Sequence, residues 1–130
     1  MHKIANSLAF IMALSVPAGG ALAQPGSAVS IILTSYSFTP DKLELKAGSA
    51  YQLHLVNSDT KDHSFSAPAF FAASAVAADD QAKIKNGTVE VAGGQTIDIT
   101  VTPGAAQSYA FTCTHMMHSM LGMHGTIAVQ

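Results

Sequence analysis

The sequence predicts an all-β domain, a Greek-key β-sandwich or barrel of seven to eight short strands with one short helical insertion. Three observations lead there. Apolar and polar residues alternate over several short stretches, and turn-forming pairs such as Asn86-Gly87, Gly93-Gly94 and Pro103-Gly104 separate them. Only one segment, Pro68 to Lys83, has an alanine-rich helical composition.

The chain opens with a segment that does not belong to the domain. His2 and Lys3 precede an apolar run from Ile4 to Val16, then Pro17, Gly19, Gly20 and the triplet Ala21-Leu22-Ala23. A charged start, an apolar middle and a small-x-small end form a secretory signal peptide, and the run is shorter than the ~20 residues that span a bilayer. Residues 1–23 are therefore expected to be removed, leaving a single domain at 24–130 with no membrane span and a periplasmic or secreted location.

Within the domain, Val29 to Thr34 is rich in β-branched residues, and Ser35 to Pro40 places Tyr36 and Phe38 on alternate positions. Leu43 and Leu45 alternate with charged neighbours, and Tyr51, Leu53 and Leu55 alternate with Gln52, His54 and Val56. His54 falls on the polar side and reads as a surface histidine. Asn57 to Asp62 is a polar loop that delivers His63 and Phe65. After the alanine-rich segment, strands are expected at Thr88 to Val91, Gln95 to Thr102, Tyr109 to Cys113 and Gly125 to Val129.

Composition excludes some partners. Without Lys3, five lysines face eight acidic residues and there is no arginine, a formal charge of −3. Nucleic-acid binding rests on clustered basic residues, so that partner class is not expected. A single cysteine, Cys113, cannot form an internal disulfide, so in an oxidising compartment it is a buried apolar residue, an intermolecular link or a thiol kept for chemistry.

Its neighbours favour chemistry. From Cys113 to Gly125 the chain reads Cys-Thr-His-Met-Met-His-Ser-Met-Leu-Gly-Met-His-Gly. Thiolate and thioether sulfur suit Cu(I) and imidazole also holds Cu(II), so one copper ion is the expected cofactor. Cys113, His118 and Met123 lie within one loop, and His63 is the best remaining donor, at the end of the polar loop. His115 competes with His118, and Met120 with Met123. Gly122 and Gly125 flank Met123 and suit a tight return to the last strand. Met116, Met117 and Met120 read first as packing residues that cap the apolar end of the sandwich. With Leu121 and Phe70, some of this apolar surface is expected to surround an edge of His118.

His63 followed fifty residues later by Cys-x4-His-x4-Met-x-Gly resembles the type 1 copper motif of the cupredoxins, the plastocyanin and azurin superfamily. The resemblance implies His63, Cys113 and His118 as trigonal ligands, Met123 as a long axial ligand, and electron transfer with no substrate chemistry. Its spacing also favours His118 over His115. One departure is Ser64, where many members carry asparagine, which ties the two ligand loops together; the serine hydroxyl either makes a shorter version of that bond or makes none. The partner would be a redox protein, or a copper donor or acceptor if the chain hands copper on instead, docking near the ligand loop of a monomer. A second set of histidines for enzymatic copper chemistry is lacking, since only His54, His115 and His124 remain within the domain.

Overall fold

The computed structural model describes residues 26–130; the expected signal peptide and its cleavage site lie outside them. Alternation becomes burial most clearly in β4 (Tyr51–Asn57), where Tyr51, Leu53, Leu55 and Asn57 are buried and Gln52 is exposed. The same rhythm buries Ile99 and Val101 of β8 (Thr96–Pro103), its antiparallel partner. These two strands form the centre of one sheet. β1 (Ala28–Thr34) joins β4 in parallel, β2 (Ser37–Thr39) forms one edge beside β1, and β6 (Ser74–Val76) forms the other edge beside β8.

The second sheet runs in the order β3 (Lys42–Leu45), β10 (His124–Val129), β9 (Ser108–Thr112), β5 (His63–Ser66), β7 (Thr88–Val91). Both sheets contribute to one core of β-sandwich type. At its centre Phe65 is fully buried, with ring centroids 4.9 Å from Phe111, 6.1 Å from Phe38 of the opposite sheet and 6.1 Å from Phe71. Burying such a side chain contributes roughly 1.5–3 kcal/mol, and an aromatic pair adds about 0.5–1.5 kcal/mol. This cluster lies directly beneath the residues that follow β9 and open β5.

The described residues contain ten strands, two more than the alternation predicts. One addition is β5, whose four residues are all buried, so neither face is marked by polarity. The other is β6, inside the segment expected to be helical. Pro68–Ala72 forms a short helix, α1, with Pro68 in its first turn, and Ser74 Oγ closes its end by donating to the Phe70 carbonyl at 2.6 Å. The chain then pairs Val76 with Val101 before a 3-10 turn at Ala78–Lys83. An open sheet edge on β8 outweighs the helical preference of alanine over these three residues.

Gly125 shows how closely the last strand approaches its neighbours. A Cβ there would sit 2.3 Å from the Asp41 carbonyl oxygen and 2.3 Å from Phe111 Cζ, too close for any side chain. Gly125→Ala is expected to destabilise the fold by about 2–3 kcal/mol, read as a lowered denaturant midpoint at unchanged m-value.

Candidate metal centre

Two connections at one end of the sandwich carry the candidate ligands. The first, Asn57 to Asp62, is held from inside: Asn57 is buried, and its Nδ2 donates to the carbonyls of Lys61 at 2.8 Å and Val91 at 2.9 Å. Its Oδ1 accepts the Asp59 N–H at 2.9 Å. That frame places His63 at the start of β5 with no exposed surface.

The second connection leaves β9 at Cys113 and returns at β10. Within it the His118 N–H donates to the His115 carbonyl at 3.1 Å, and the Met123 N–H donates to the His118 carbonyl at 3.0 Å. Gly122, at φ 109°, makes the reversal that an L-side chain resists, and Met123 follows fully buried. The Cys113 N–H donates to the Met123 carbonyl at 3.1 Å, so the backbones of these two residues are locked together.

His63, Cys113 and His118 converge, each offering one donor atom within 4.8 Å of the others. The two Nδ1 atoms are 3.3 Å apart, and Cys113 Sγ lies 3.4 Å from His118 Nδ1. Such spacing suits one ion about 2 Å from each nitrogen and about 2.3 Å from the sulfur. Burial of the His118 ring, aided by its histidine neighbours His63 and His115, lowers its pKa, which favours the neutral imidazole that a metal requires. Two imidazoles and one thiolate form a donor set that supports a single copper ion.

A cupredoxin-like domain profile matches residues 5–129 of the sequence. The chain belongs to the cupredoxin-like domain family. Solved structures with the same fold include auracyanin B, at 18% identity and a TM-score of 0.61 over 87% of this chain and 95% of that one. Dithionite-reduced auracyanin from Roseiflexus castenholzii has 16% identity and a TM-score of 0.62, covering 82% of this chain and 99% of its own. Auracyanin A, a blue copper protein from Chloroflexus aurantiacus, has 19% identity and a TM-score of 0.59, over 81% of this chain and all of its own. At such identities the likeness establishes the fold. No curated protein matches the chain in sequence.

This cupredoxin surrounds its donors with contacts that sequence spacing does not reveal. Asp59 Oδ2 lies 3.0 Å from His63 Nε2, on the side of the ring away from the other donors, and also accepts the Ser35 hydroxyl. Hydrogen bonds from Ser35 first and His63 second hold the Asp59 carboxyl far below the usual carboxylate range. The only hint in the sequence is a carboxylate four residues before a candidate ligand. Tyr36 meets the His118 ring edge-on at 5.0 Å. His115 stacks against the same ring at 5.6 Å and 22°, with its Nε2 held 2.9 Å from Glu90. His115 thus sits behind His118, outside the donor cluster. His54 is remote from it, its ring paired with Asp98 across the β4–β8 ladder.

The loop methionines differ from the packing role expected of them. Met116, Met117 and Met120 are 87%, 57% and 82% exposed, and Leu121 is exposed beside them. Met117 adopts φ 65°, an uncommon left-handed conformation for a side chain of this size. Phe70 does not join this surface, because it is fully buried against Phe71 and Tyr109.

Ser64 does tie the two connections together. Its Oγ accepts the Thr114 N–H at 2.8 Å and lies 2.8 Å from Thr114 Oγ1, while its own N–H points to Cys113 Sγ at 3.4 Å. If Thr114 donates both bonds, the Ser64 hydroxyl proton remains for the sulfur 3.8 Å away. Ser64→Ala removes the acceptor of the Thr114 amide, a loss of about 0.5–1.5 kcal/mol for a partly buried bond on an exposed residue. Exchange of that amide with solvent should accelerate by roughly two- to tenfold in the metal-free protein, measured by hydrogen exchange.

Proposed function

We propose that this protein carries single electrons through a type 1 copper centre, with His63, Cys113 and His118 as equatorial ligands and Met123 as the axial one. The observation that supports it most directly is the convergence of His63 Nδ1, His118 Nδ1 and Cys113 Sγ in a cupredoxin fold. Held by these residues, copper would supply one-electron exchange without making or breaking a substrate bond, so the reading is a carrier and not an enzyme.

The polypeptide supplies rigidity and shielding. His63, Cys113 and Met123 are buried, and His63 and Cys113 attach to neighbouring strands of one sheet. Little room exists for these donors to rearrange, which favours a similar geometry in both oxidation states. The Ser64 N–H directed at Cys113 Sγ stabilises negative charge on the sulfur. His118 is only partly buried and is bordered by exposed Met117 and Leu121, which makes its ring the natural edge for a redox partner. The signal-peptide pattern of residues 1–23 supports a periplasmic or extracellular setting for this exchange.

A second reading has its own support. Three exposed thioethers within five residues, at Met116, Met117 and Met120, are soft donors that favour Cu(I), as a protein handing copper to another would need. On the carrier reading they line the docking surface instead.

Loading with Cu(II) should produce an intense visible thiolate-to-copper band, absent in Cys113→Ser; a band that survives that substitution would overturn the assignment. Titrating reduced protein with Cu(I) against a competing chelator separates carrier from handler. One equivalent, unchanged when Met116, Met117 and Met120 are all replaced by Leu, supports the carrier. A second, weaker equivalent lost in that variant supports the handler.

A further inference from the structure

We infer that Asp59 is a positioning residue for the copper site: its carboxylate keeps the His63 proton on Nε2, turns the Nδ1 lone pair toward Cys113 and His118, and places negative charge behind the ring that favours Cu(II) over Cu(I). The inference rests on the copper reading proposed above. It begins from a proton count. Asp59 Oδ2 is 3.0 Å from His63 Nε2 and also accepts the Ser35 hydroxyl, while Oδ1 accepts the Thr60 N–H at 2.7 Å. A carboxylate engaged in this way is an acceptor only, so the proton in the contact belongs to His63. A neutral imidazole with its proton on Nε2 has a free lone pair on Nδ1, and that atom faces His118 Nδ1 at 3.3 Å.

The carboxylate is fixed on both sides. The Asp59 N–H donates to Asn57 Oδ1 at 2.9 Å, and its carbonyl accepts the Gly94 N–H at 3.0 Å. A backbone carbonyl in the same place would set the tautomer equally well. It would not bring a full negative charge to a ring that has no exposed surface. The ring is buried while the carboxylate keeps a fifth of its side chain in contact with solvent, so water screens the charge only in part; over this short distance it stabilises the more positive oxidation state of whatever Nδ1 holds. Among the described residues no carboxylate hydrogen-bonds the His118 ring: its contacts are with Tyr36, His63, Cys113 and His115, and the nearby carboxylate of Glu90 binds His115. Among the described residues the direct carboxylate contact is therefore made to one of the two imidazoles, His63.

Ser35 makes the role separable from simple loop bracing. Its hydroxyl shares the oxygen that His63 uses, so removing it leaves His63 as the main claimant on that oxygen and strengthens the pull on the ring. Asp59→Asn keeps shape and an acceptor but removes the charge. The two substitutions should move the copper potential in opposite directions, whereas loosening of the loop would move both the same way.

The test measures the equilibrium potential of the copper-loaded protein and, independently, the His63 tautomer of the metal-free protein by long-range 1H–15N NMR. Asp59→Asn is expected to lower the preference for Cu(II) over Cu(I) about tenfold, a rise of about 59 mV for one electron. Ser35→Ala should give a smaller fall. The metal-free wild type should show His63 protonated on Nε2 alone, and Asp59→Ala should show a mixture. Equal potentials in Asp59→Asn and wild type, shifts of the same sign in both variants, or an Nδ1-protonated His63 in the wild type would overturn the inference. If Asp59→Ala does not fold, the potentials of the other two variants and the wild-type tautomer still decide it. A wild type without the thiolate band would sink the copper reading while leaving the tautomer result to judge Asp59.

Discussion

The junction between β5 and β9 is the constraint on which the centre depends. The two strands pair at Ser66 and Thr112, and one step further toward the end of the sandwich side chains take over from backbone. There the Ser64 N–H turns to a sulfur and its hydroxyl to Thr114. A ladder that continued would press the two backbones together and leave no space between them. By diverging while remaining tied, the strands open a gap bounded by His63 and Cys113, and the aromatic cluster of Phe65, Phe111 and Phe38 supports that gap from below.

The loops divide the work unequally. Asn57 fixes the first connection through bonds to Lys61, Val91 and Asp59, so His63 arrives on a frame built from protein hydrogen bonds. The second connection is a series of turns in which His118 and Met123 are joined by backbone bonds, while the residues between them face outward. A buried imidazole on one side and a more exposed ring on the other give the cluster a protected interior and one approachable edge.

Much of this was legible in the sequence because it is written in periodicity and spacing. β4, β8 and β9 alternate, and the Cys-x4-His-x4-Met pattern brings its donors into one loop wherever the strands lie. β5 was not legible as a strand, since His63, Ser64, Phe65 and Ser66 are buried alike and polarity marks no face. β6 was hidden by alanine, whose helical preference yields to the ladder offered by β8. The contacts of Ser35 with Asp59 and of Tyr36 with the His118 ring depend on the β1–β2 hairpin passing near the two connections, a tertiary fact with no local signature. The loop methionines show the opposite limit: their composition is plain, and their exposure is decided by the path of the turns.

That exposure has a chemical consequence. Seven sulfur-bearing side chains occur in the sequence; among those of the ligand loop, Met123 and Cys113 are enclosed while Met116 and Met120 stand almost wholly in water. Peroxide arriving from solvent meets the outer thioethers first and converts them to sulfoxides, which are polar and hydrogen-bonding where the thioether was not. Oxidative exposure would thus rewrite the character of the rim before it reached the buried sulfurs, leaving a record of damage on the surface while the interior stayed chemically intact.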